Sequence, residues 1–372
     1  YHSSSSSSSS SSHSHDRGFV GALPLVPRLS RVCRGWRDAV RADPVPLWRH
    51  VDISYGWCRA TDKIVSRFCK DGVWAMCEDL NMSDCPKLTD VSVRALAAGC
   101  PNLVSLDASG MTGSVSVDAL RCLSDRLTDV RLDRLRPTRS DPGKFIEAVL
   151  TERLRRLGVA DVPGLDKGIL RSVGQTCASL TSLDLTGSGQ HRDWTFPWLA
   201  LMTGCGKLQE LRLNGVGGQA GWTPVPAIGG SGDPMSRSRR PDEPELDIGW
   251  PDLRVLHVGV LTTADSRGYQ RGNSYVCDEL FFRLLWTQPK HLKELDITGC
   301  TKLSCYMVEL AVGRDAPLEV LRASSTECAE DVNVISYVAS YGETLRVLEL
   351  GTTTAQAKGI TDFSLESIGH GG

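Results

Sequence analysis

The sequence lacks the features that would place it in a membrane, in a secretory route or on a nucleic acid. It has no apolar run of about 18 residues, the length that a transmembrane helix needs. It opens on serine and histidine instead of a charged segment followed by an apolar one, so no secretory signal is visible. Its formal net charge of −2 provides no strong field for nucleic acid or for an acidic membrane surface. These absences favour a protein of the cytoplasm or the nucleus.

Motifs of catalysis, nucleotide binding and metal binding are also missing. The chain has no Walker loop, no G-x-S-x-G, no H-E-x-x-H and no paired Cys/His spacing typical of zinc sites. The segment Gly215–Ala220 fits the dinucleotide pattern G-x-G-x-x-A, but Pro224 and Pro226 follow where a helix would have to receive the pyrophosphate. We expect a non-enzymatic protein without cofactor or metal, and a dinucleotide enzyme is the weakest alternative.

What the sequence does contain is one short motif in ten copies. The pattern L-x-x-L-x-L is clearest at Leu180–Leu185 and Leu292–Ile297, and a weaker copy, Cys77–Met82, is the first. The copies start at residues 77, 103, 127, 154, 180, 208, 253, 292, 318 and 345, and most steps are 24 to 28 residues. A fixed period of this length indicates a leucine-rich-repeat solenoid.

Each copy predicts a strand followed by a helix. In L-x-L the apolar residues alternate, so they share one face of a short strand. Between the strands lie apolar residues at helical spacing, such as Val91, Ala95, Leu96 and Cys100, and then Leu165, Ile169, Leu170, Val173 and Cys177. Because no copy can bury its leucines alone, we expect an α/β solenoid with parallel strands on the concave face and helices on the convex face.

The residue between the last two apolar positions of each copy points away from the core and onto the concave face. Most of these residues are charged, and a curved solenoid offers a long surface for a partner. We predict that they bind a protein substrate; the alternative is that they only solvate an exposed sheet. The predicted contact residues are Arg131, Asp184, Arg212, His257, Asp296, Arg322 and Glu349.

The 13 cysteines include no C-x-x-C pair and recur at fixed places in the repeat. Cys100, Cys177 and Cys205 each lie just ahead of a copy of the motif, whereas Cys85 and Cys300 follow one. Periodic placement of this kind is typical of small buried apolar side chains. We predict reduced structural thiols, and scattered metal or redox roles are the alternative.

Composition divides the chain into four parts, which are residues 1–18, 19–53, 54–76 and 77–372. The first is a serine and histidine tract that we expect to be disordered. The second is apolar, the third predicts a helical connection, and the fourth holds the repeats. Insertions near 217–249 and 262–277 interrupt the repeats. The chain ends inside a further copy, so we expect an open C-terminal end.

The segment 19–53 carries a resemblance to a known family. Apolar residues at helical spacing predict an amphipathic helix after Pro27 that ends before Pro44. The phrases L-S-R-V-C-R-x-W at Leu29–Trp36 and D-P-x-x-L-W at Asp43–Trp48 resemble the second half of an F-box. With the repeats that follow, the chain is similar to the F-box/leucine-rich-repeat family.

This resemblance implies a function. In that family the F-box docks on Skp1, which joins a cullin and a RING-bearing ligase, and the repeats hold the substrate. The implied role is the substrate-recognition adaptor of an SCF-type (Skp1–cullin–F-box) ubiquitin ligase, which directs a protein to proteasomal degradation. By the same resemblance, the residues that face Skp1 are Leu23, Pro24, Leu25, Val26 and Leu29. Those that hold the F-box together are Val32, Cys33, Trp36, Leu47 and Trp48.

Family F-boxes begin with a Leu-Pro and a leucine-rich first helix, of which at most Phe19–Leu25 is present here. We therefore expect an N-terminally incomplete F-box. Two alternatives follow from the residues themselves: a helix that only caps the end of the solenoid, and an interaction scaffold without a link to a ligase.

Overall fold

Eleven short strands form one parallel sheet in the part of the chain that the computed structural model describes. The described residues are 33–35, 38, 48–54, 60–111, 115–137, 141–188, 198–216, 249–259, 276–285, 289–313, 316–326 and 330–351. The strands are β1 (His50–Asp52), β2 (Asp79–Asn81), β3 (Ser105–Asp107), β4 (Asp129–Arg131), β5 (Arg156–Gly158), β6 (Ser182–Asp184), β7 (Glu210–Arg212), β8 (Val255–His257), β9 (Glu294–Asp296), β10 (Val320–Arg322) and β11 (Val347–Glu349). Their order in the sheet is their order in the chain.

A described helix lies between successive strands everywhere except between β7 and β8, and neighbouring helices pack against one another. Within the described residues they are α1 (Asp62–Lys70), α2 (Asp90–Gly99), α3 (Val117–Ser124), α4 (Pro142–Glu147), α5 (Lys167–Thr176), α6 (Trp198–Gly204), α7 (Asp278–Leu284), α8 (Cys305–Val312) and α9 (Asp331–Tyr341). Parallel neighbours need a crossover of this kind. The fold is a leucine-rich-repeat solenoid. None of these described helices is long and apolar enough to cross a membrane.

All ten predicted copies of the motif form strands, which confirms the predicted architecture. The central apolar residue is buried in every strand from β1 to β10 and half-buried in β11. Neighbouring centres are in register, as Leu256, Leu295 and Leu321 are across β8, β9 and β10. The leucines of successive copies therefore form one continuous core, in which burying each side chain contributes about 1.5–3 kcal/mol.

The sheet has one strand more than the ten copies, and that strand is β1. Trp48, Val51 and Ile53 have the spacing of L-x-x-L-x-L with other apolar residues in place of leucine, and all three are buried. Strand β1 pairs with β2 in the same parallel register as the later strands. The end of segment 19–53 is therefore an additional copy of the repeat, and helix α1 is the helix of that copy.

A left-handed turn follows strands β2 to β7, β9 and β10, three residues after the last residue of each strand. The residues with positive φ at this place are Asp84, Gly110, Arg134, Asp161, Gly187, Gly215, Gly299 and Ser325. Gly215 has φ of 68°, and its N–H donates to the carbonyl oxygen of Gly259 in the next copy at 2.9 Å. The turn thus accounts for the first glycine of the G-x-G-x-x-A pattern, whose residues 217–220 lie outside the described part of the chain.

Helix α5 buries the residues that the sequence predicts, namely Ile169, Leu170 and Val173, and Leu165 and Cys177 beside it are buried too. The prediction for α2 is wrong at Val91. Its side chain is 56% exposed, whereas Ser92, Val93 and Leu96 are buried. Ser92 can occupy the buried face because its hydroxyl donates to Asp62 Oδ1 on α1 at 2.5 Å.

Candidate functional site

Two rows of side chains project from the open face of the sheet. The first and third residues of each strand flank the central apolar residue, and alternation puts both on the same face. The predicted contact residues are all third residues, and each lies at the end of its strand. The row of first residues was missed, although the same alternation identifies it: His50, Asp79, Ser105, Asp129, Arg156, Ser182, Glu210, Val255, Glu294, Val320 and Val347.

Strands β8 to β11 carry a chain of polar and charged contacts centred on one of the missed residues, Glu294. Its Oε1 lies 2.5 Å from Nη1 of Arg322 on β10 and 3.1 Å from Nε2 of His257 on β8. The Nε of Arg322 lies 3.3 Å from Oε1 of Glu349 on β11. The structure therefore brings three predicted contact residues together around a carboxylate from the other row.

The surroundings of Glu294 lower the pKa of its carboxyl to about 2. The hydrogen bond with His257 is the largest cause; burial opposes it, and the hydrogen bond with Arg322 adds to it. The folded-state pKa lies below the usual value of about 4.3 for an unfolded chain. The ionised carboxylate therefore stabilises the fold above that value, and the contribution is lost as the pH falls toward 2.

Glu294→Gln is expected to lower the free energy of unfolding by about 1–3 kcal/mol at neutral pH, because Arg322 loses the carboxylate that pairs with it and the contact with His257 is weakened. The difference from the parent protein should shrink as the pH falls from about 4.3 toward 2, because the carboxyl of the unfolded parent takes up a proton first and that of the folded parent only near 2. Urea denaturation at a series of pH values measures this difference. Glu319→Gln is the control, because its pair with Lys293 is more exposed and should matter little. A difference independent of pH would contradict the ion-pair account.

Asp184 and Asp296, two further predicted contact residues, take part in the turns that follow their strands. Asp184 Oδ1 accepts the N–H of Thr186, and Asp296 Oδ1 accepts the N–H of Thr298, both at 3.0 Å. Asp52, Asn81 and Asp107 do the same in their copies. These side chains thus hold the turn, as aspartate and asparagine commonly do. Their presence has a structural reason that spacing in the sequence did not reveal.

Three of the copies that lack this aspartate or asparagine obtain an acceptor from the preceding copy. The N–H of Ala160 donates to Asp133 Oδ1 at 2.8 Å, and the N–H of Gly259 donates to Asn214 Oδ1 at 2.9 Å. The N–H of Gly351 likewise donates to Ser324 Oγ at 2.8 Å. We call these three contacts the cross-copy bonds. They tie β5, β8 and β11 to the copies before them.

The predicted contact residues differ in how far their side chains are exposed to solvent. His257 and Asp296 are each only 8% exposed, and Asp296 Oδ2 also accepts from the side-chain amide of Asn214 at 2.9 Å. Arg131 and Glu349 are exposed. Arg212 is partly buried and pairs with Glu210 of its own strand at 2.9 Å. The arginines and Glu349 therefore offer more surface to a partner than His257 or Asp296.

Carboxylates cluster near the ends of β3 to β6. Burial raises the pKa of Asp133 to about 6; the hydrogen bond from Ala160 opposes this, and the neighbouring carboxylates Asp184 and Asp107 add to it. Burial also raises the pKa of Asp161. Arg131 lies near Asp133, and Arg134 lies near Asp161, so this part of the open face carries both signs of charge.

The five cysteines that the sequence placed in the core, Cys85, Cys100, Cys177, Cys205 and Cys300, are all buried. Burial raises the pKa of the Cys177 thiol to about 11 and that of the Cys205 thiol to about 12. Thiolate is the reactive form of cysteine, so both side chains are inert at neutral pH. No group of His, Cys, Asp or Glu side chains among the described residues is arranged to hold a metal ion.

The end of the F-box-like segment packs on the first helix of the solenoid. Trp48 is 4% exposed, and its ring centroid lies 6.0 Å from that of Phe68 on α1. Phe68 in turn stacks on Trp74, with centroids 5.2 Å apart. Cys33 is exposed. The remaining residues predicted for the F-box lie outside the described part of the chain: Leu23, Pro24, Leu25, Val26, Leu29, Val32, Trp36 and Leu47.

Comparison of the sequence with protein-family models and with curated proteins gives no match. The chain is similar to several solved structures at low identity. One is the Rad7 and Elc1 complex in yeast, at 12% identity and a TM-score of 0.45, covering 92% of this chain and 97% of that one. An internalin, InlF of Listeria monocytogenes, has 13% identity and a TM-score of 0.35, covering 81% and 61%. The mouse RP105/MD-1 complex has 11% identity and a TM-score of 0.40, covering 80% and 45%. Likenesses at this level assign no partner or activity to this chain.

Proposed function

We propose that this chain is the substrate-recognition subunit of an SCF-type (Skp1–cullin–F-box) ubiquitin ligase. The observation that carries the proposal is the junction at Trp48. The F-box-like phrase Asp43–Trp48 runs directly into β1, and Trp48 is buried against Phe68 of α1. A partner docked on this segment is thereby held at one end of the sheet. The open face of the sheet then remains available to a substrate.

In this role the chain acts by binding alone. Its partners, Skp1 and a cullin, supply the link to ubiquitin transfer, and the chain needs no cofactor. The open face suits a polar protein surface, because it presents Arg131, Arg212 and Glu349 beside the carboxylates around Asp133. We place this activity in the cytoplasm, the nucleus or both, where the ubiquitin pathway works.

Natural full-length protein is expected to capture purified Skp1 in a pull-down assay, and to capture a cullin when a cell lysate supplies it. Replacement of Pro24 by Ala together with Leu25 by Lys should abolish capture, because a charge replaces apolar surface that a permanent partner covers. Arg212→Ala is the matched control. It alters the open face and should leave Skp1 capture unchanged.

Circular dichroism establishes that each variant is folded before its binding is scored. If folded full-length protein captures no Skp1, the ligase role is wrong. An interaction scaffold without a ligase link is the second candidate, and the same charged open face favours it. Binding of a protein substrate without binding of Skp1 would establish that candidate.

A further inference from the structure

A pocket of about 440 Å³ opens where strands β4 to β7 begin. Three cationic side chains from neighbouring copies line it: Arg155 and Arg156 at the start of β5, and Lys207 ahead of β7. Asp129 at the start of β4 and the hydroxyl of Ser179 also line it. Neither the repeat motif nor the F-box resemblance accounts for three cations gathered around one cavity.

The carboxylate among the residues that line the pocket, Asp129, already has two partners. The hydroxyl of Thr128 donates to Asp129 Oδ2 at 2.8 Å, and Nε of Arg156 lies 3.4 Å from Asp129 Oδ1. Within the described residues, no acidic side chain lies within 4.0 Å of the Arg155 or Lys207 cation. Three positive charges and one negative charge leave the pocket with a surplus of two positive charges.

Neighbouring copies hold the backbone of Arg155 in place. Its N–H donates to the carbonyl oxygen of Thr128 at 2.7 Å, and its carbonyl oxygen accepts the N–H of Thr181 at 2.8 Å. The base of the Arg155 side chain is therefore fixed between two copies before any ligand arrives. A binding group on a fixed backbone loses less freedom when the ligand binds.

We propose that this pocket binds a phosphorylated side chain of a protein that lies along the open face. A phosphate monoester carries close to two negative charges and three acceptor oxygens, which matches the surplus of the pocket. Arg155 suits bidentate contact with phosphate, and Lys207 adds a second cation. The volume lies in the range of pockets that take up a whole side group rather than a bare ion.

The position of the pocket points to a protein as the source of the phosphate. Asp129 and Arg156 are the first residues of β4 and β5, so the pocket is continuous with the open face. The inference rests on the part of the proposed function that gives the repeats a protein partner. It does not depend on Skp1, which is assigned to the segment ahead of β1.

Isothermal titration of the 372-residue chain tests the proposal with a short glycine–alanine peptide that carries one phosphoserine. This peptide should bind, whereas the same peptide with serine should not. The peptide with glutamate should bind at least about tenfold more weakly, because one carboxylate offers less charge than a phosphate. Added salt should weaken binding of the phosphopeptide. Equal binding of the glutamate or serine peptide would overturn the proposal, as would free inorganic phosphate that binds as tightly as the phosphopeptide.

Variants locate the site. Arg155→Glu and Lys207→Glu should each weaken phosphopeptide binding by about tenfold or more. Arg153→Glu is the matched control. Arg153 is exposed and lies two residues before Arg155, so this substitution makes the same change of charge outside the pocket. It should alter affinity by less than about twofold. If a charge reversal impairs folding, Arg155→Gln replaces it and should still weaken binding severalfold. An equal loss of affinity in Arg153→Glu would show that the effect comes from the overall charge of the protein, and it would refute the site.

This outcome is separable from the test of the ligase role. A chain that captures Skp1 but distinguishes no phosphopeptide refutes the pocket alone. A chain that binds the phosphopeptide but not Skp1 supports the pocket and refutes the ligase role alone.

Discussion

Leu295→Asp is expected to lower the free energy of unfolding by about 4 kcal/mol or more, enough to leave much of the protein unfolded. Leu295 is fully buried at the centre of β9, in register with Leu256 and Leu321. The substitution loses the burial of the leucine and places a carboxylate in the shared core without a partner. Urea denaturation followed by circular dichroism measures the change.

Two control variants test whether the loss of stability comes from a carboxylate in the core and not from any substitution in this copy. Leu295→Met keeps the volume and apolar character of the side chain and should cost less than about 1.5 kcal/mol. Lys290→Asp adds the same carboxylate at an exposed position of the same copy and should change stability by about 0.5 kcal/mol or less. Parent-like unfolding of Leu295→Asp would show that the register of β9 is wrong.

Gly204→Ala should destabilise the protein by about 3 kcal/mol, although it adds only one methyl group. Gly204 ends α6 at a place where this helix touches α5. A Cβ there would overlap the carbonyl oxygen of Gly174 and would lie 2.9 Å from its Cα. The obstacle is backbone, which cannot change rotamer to make room. The two helices would have to separate, and thermal unfolding should register the loss of their packing.

Gly206→Ala is the control for that experiment. A Cβ at Gly206, two residues further along the chain, meets no other atom within 4 Å. The same chemical change should therefore have an effect of about 0.5 kcal/mol or less. Equal melting temperatures for the parent and the Gly204→Ala variant would contradict the close approach of α5 and α6.

The strands could be predicted from the sequence because their pattern is local. A leucine at every second position fixes which face of a strand is buried, whatever the rest of the chain does. Strand β1 has the same spacing in Trp48, Val51 and Ile53. The sequence predicts extended structure there but not an additional copy, because tryptophan, valine and isoleucine stand for leucine and because Trp48 also completes the F-box-like phrase.

The structural features that could not be predicted from the sequence depend on contacts between copies. The exposure of Val91 follows from the bond between Ser92 and Asp62, which lies in the preceding copy. The pairing of Glu294 with His257 and Arg322 depends on the register of three strands. Residue spacing carries no record of such contacts, so the open face was predicted as a row of residues and not as an ion-pair network.

Because of the cross-copy bonds, some copies of the repeat can be duplicated or deleted alone, whereas others depend on the copy before them. The copies that contain Gly158, His257 and Glu349 take their turn acceptors from Asp133, Asn214 and Ser324 of the copies before them. Inserted without its predecessor, or left behind when its predecessor is removed, such a copy has an unsatisfied backbone N–H, at a cost of roughly 1–3 kcal/mol if the group is buried. The copies with Asp107 and Asp184 carry their own acceptors. The array can therefore gain or lose single copies where a copy carries its own acceptor, whereas β4 with β5, β7 with β8 and β10 with β11 change as pairs.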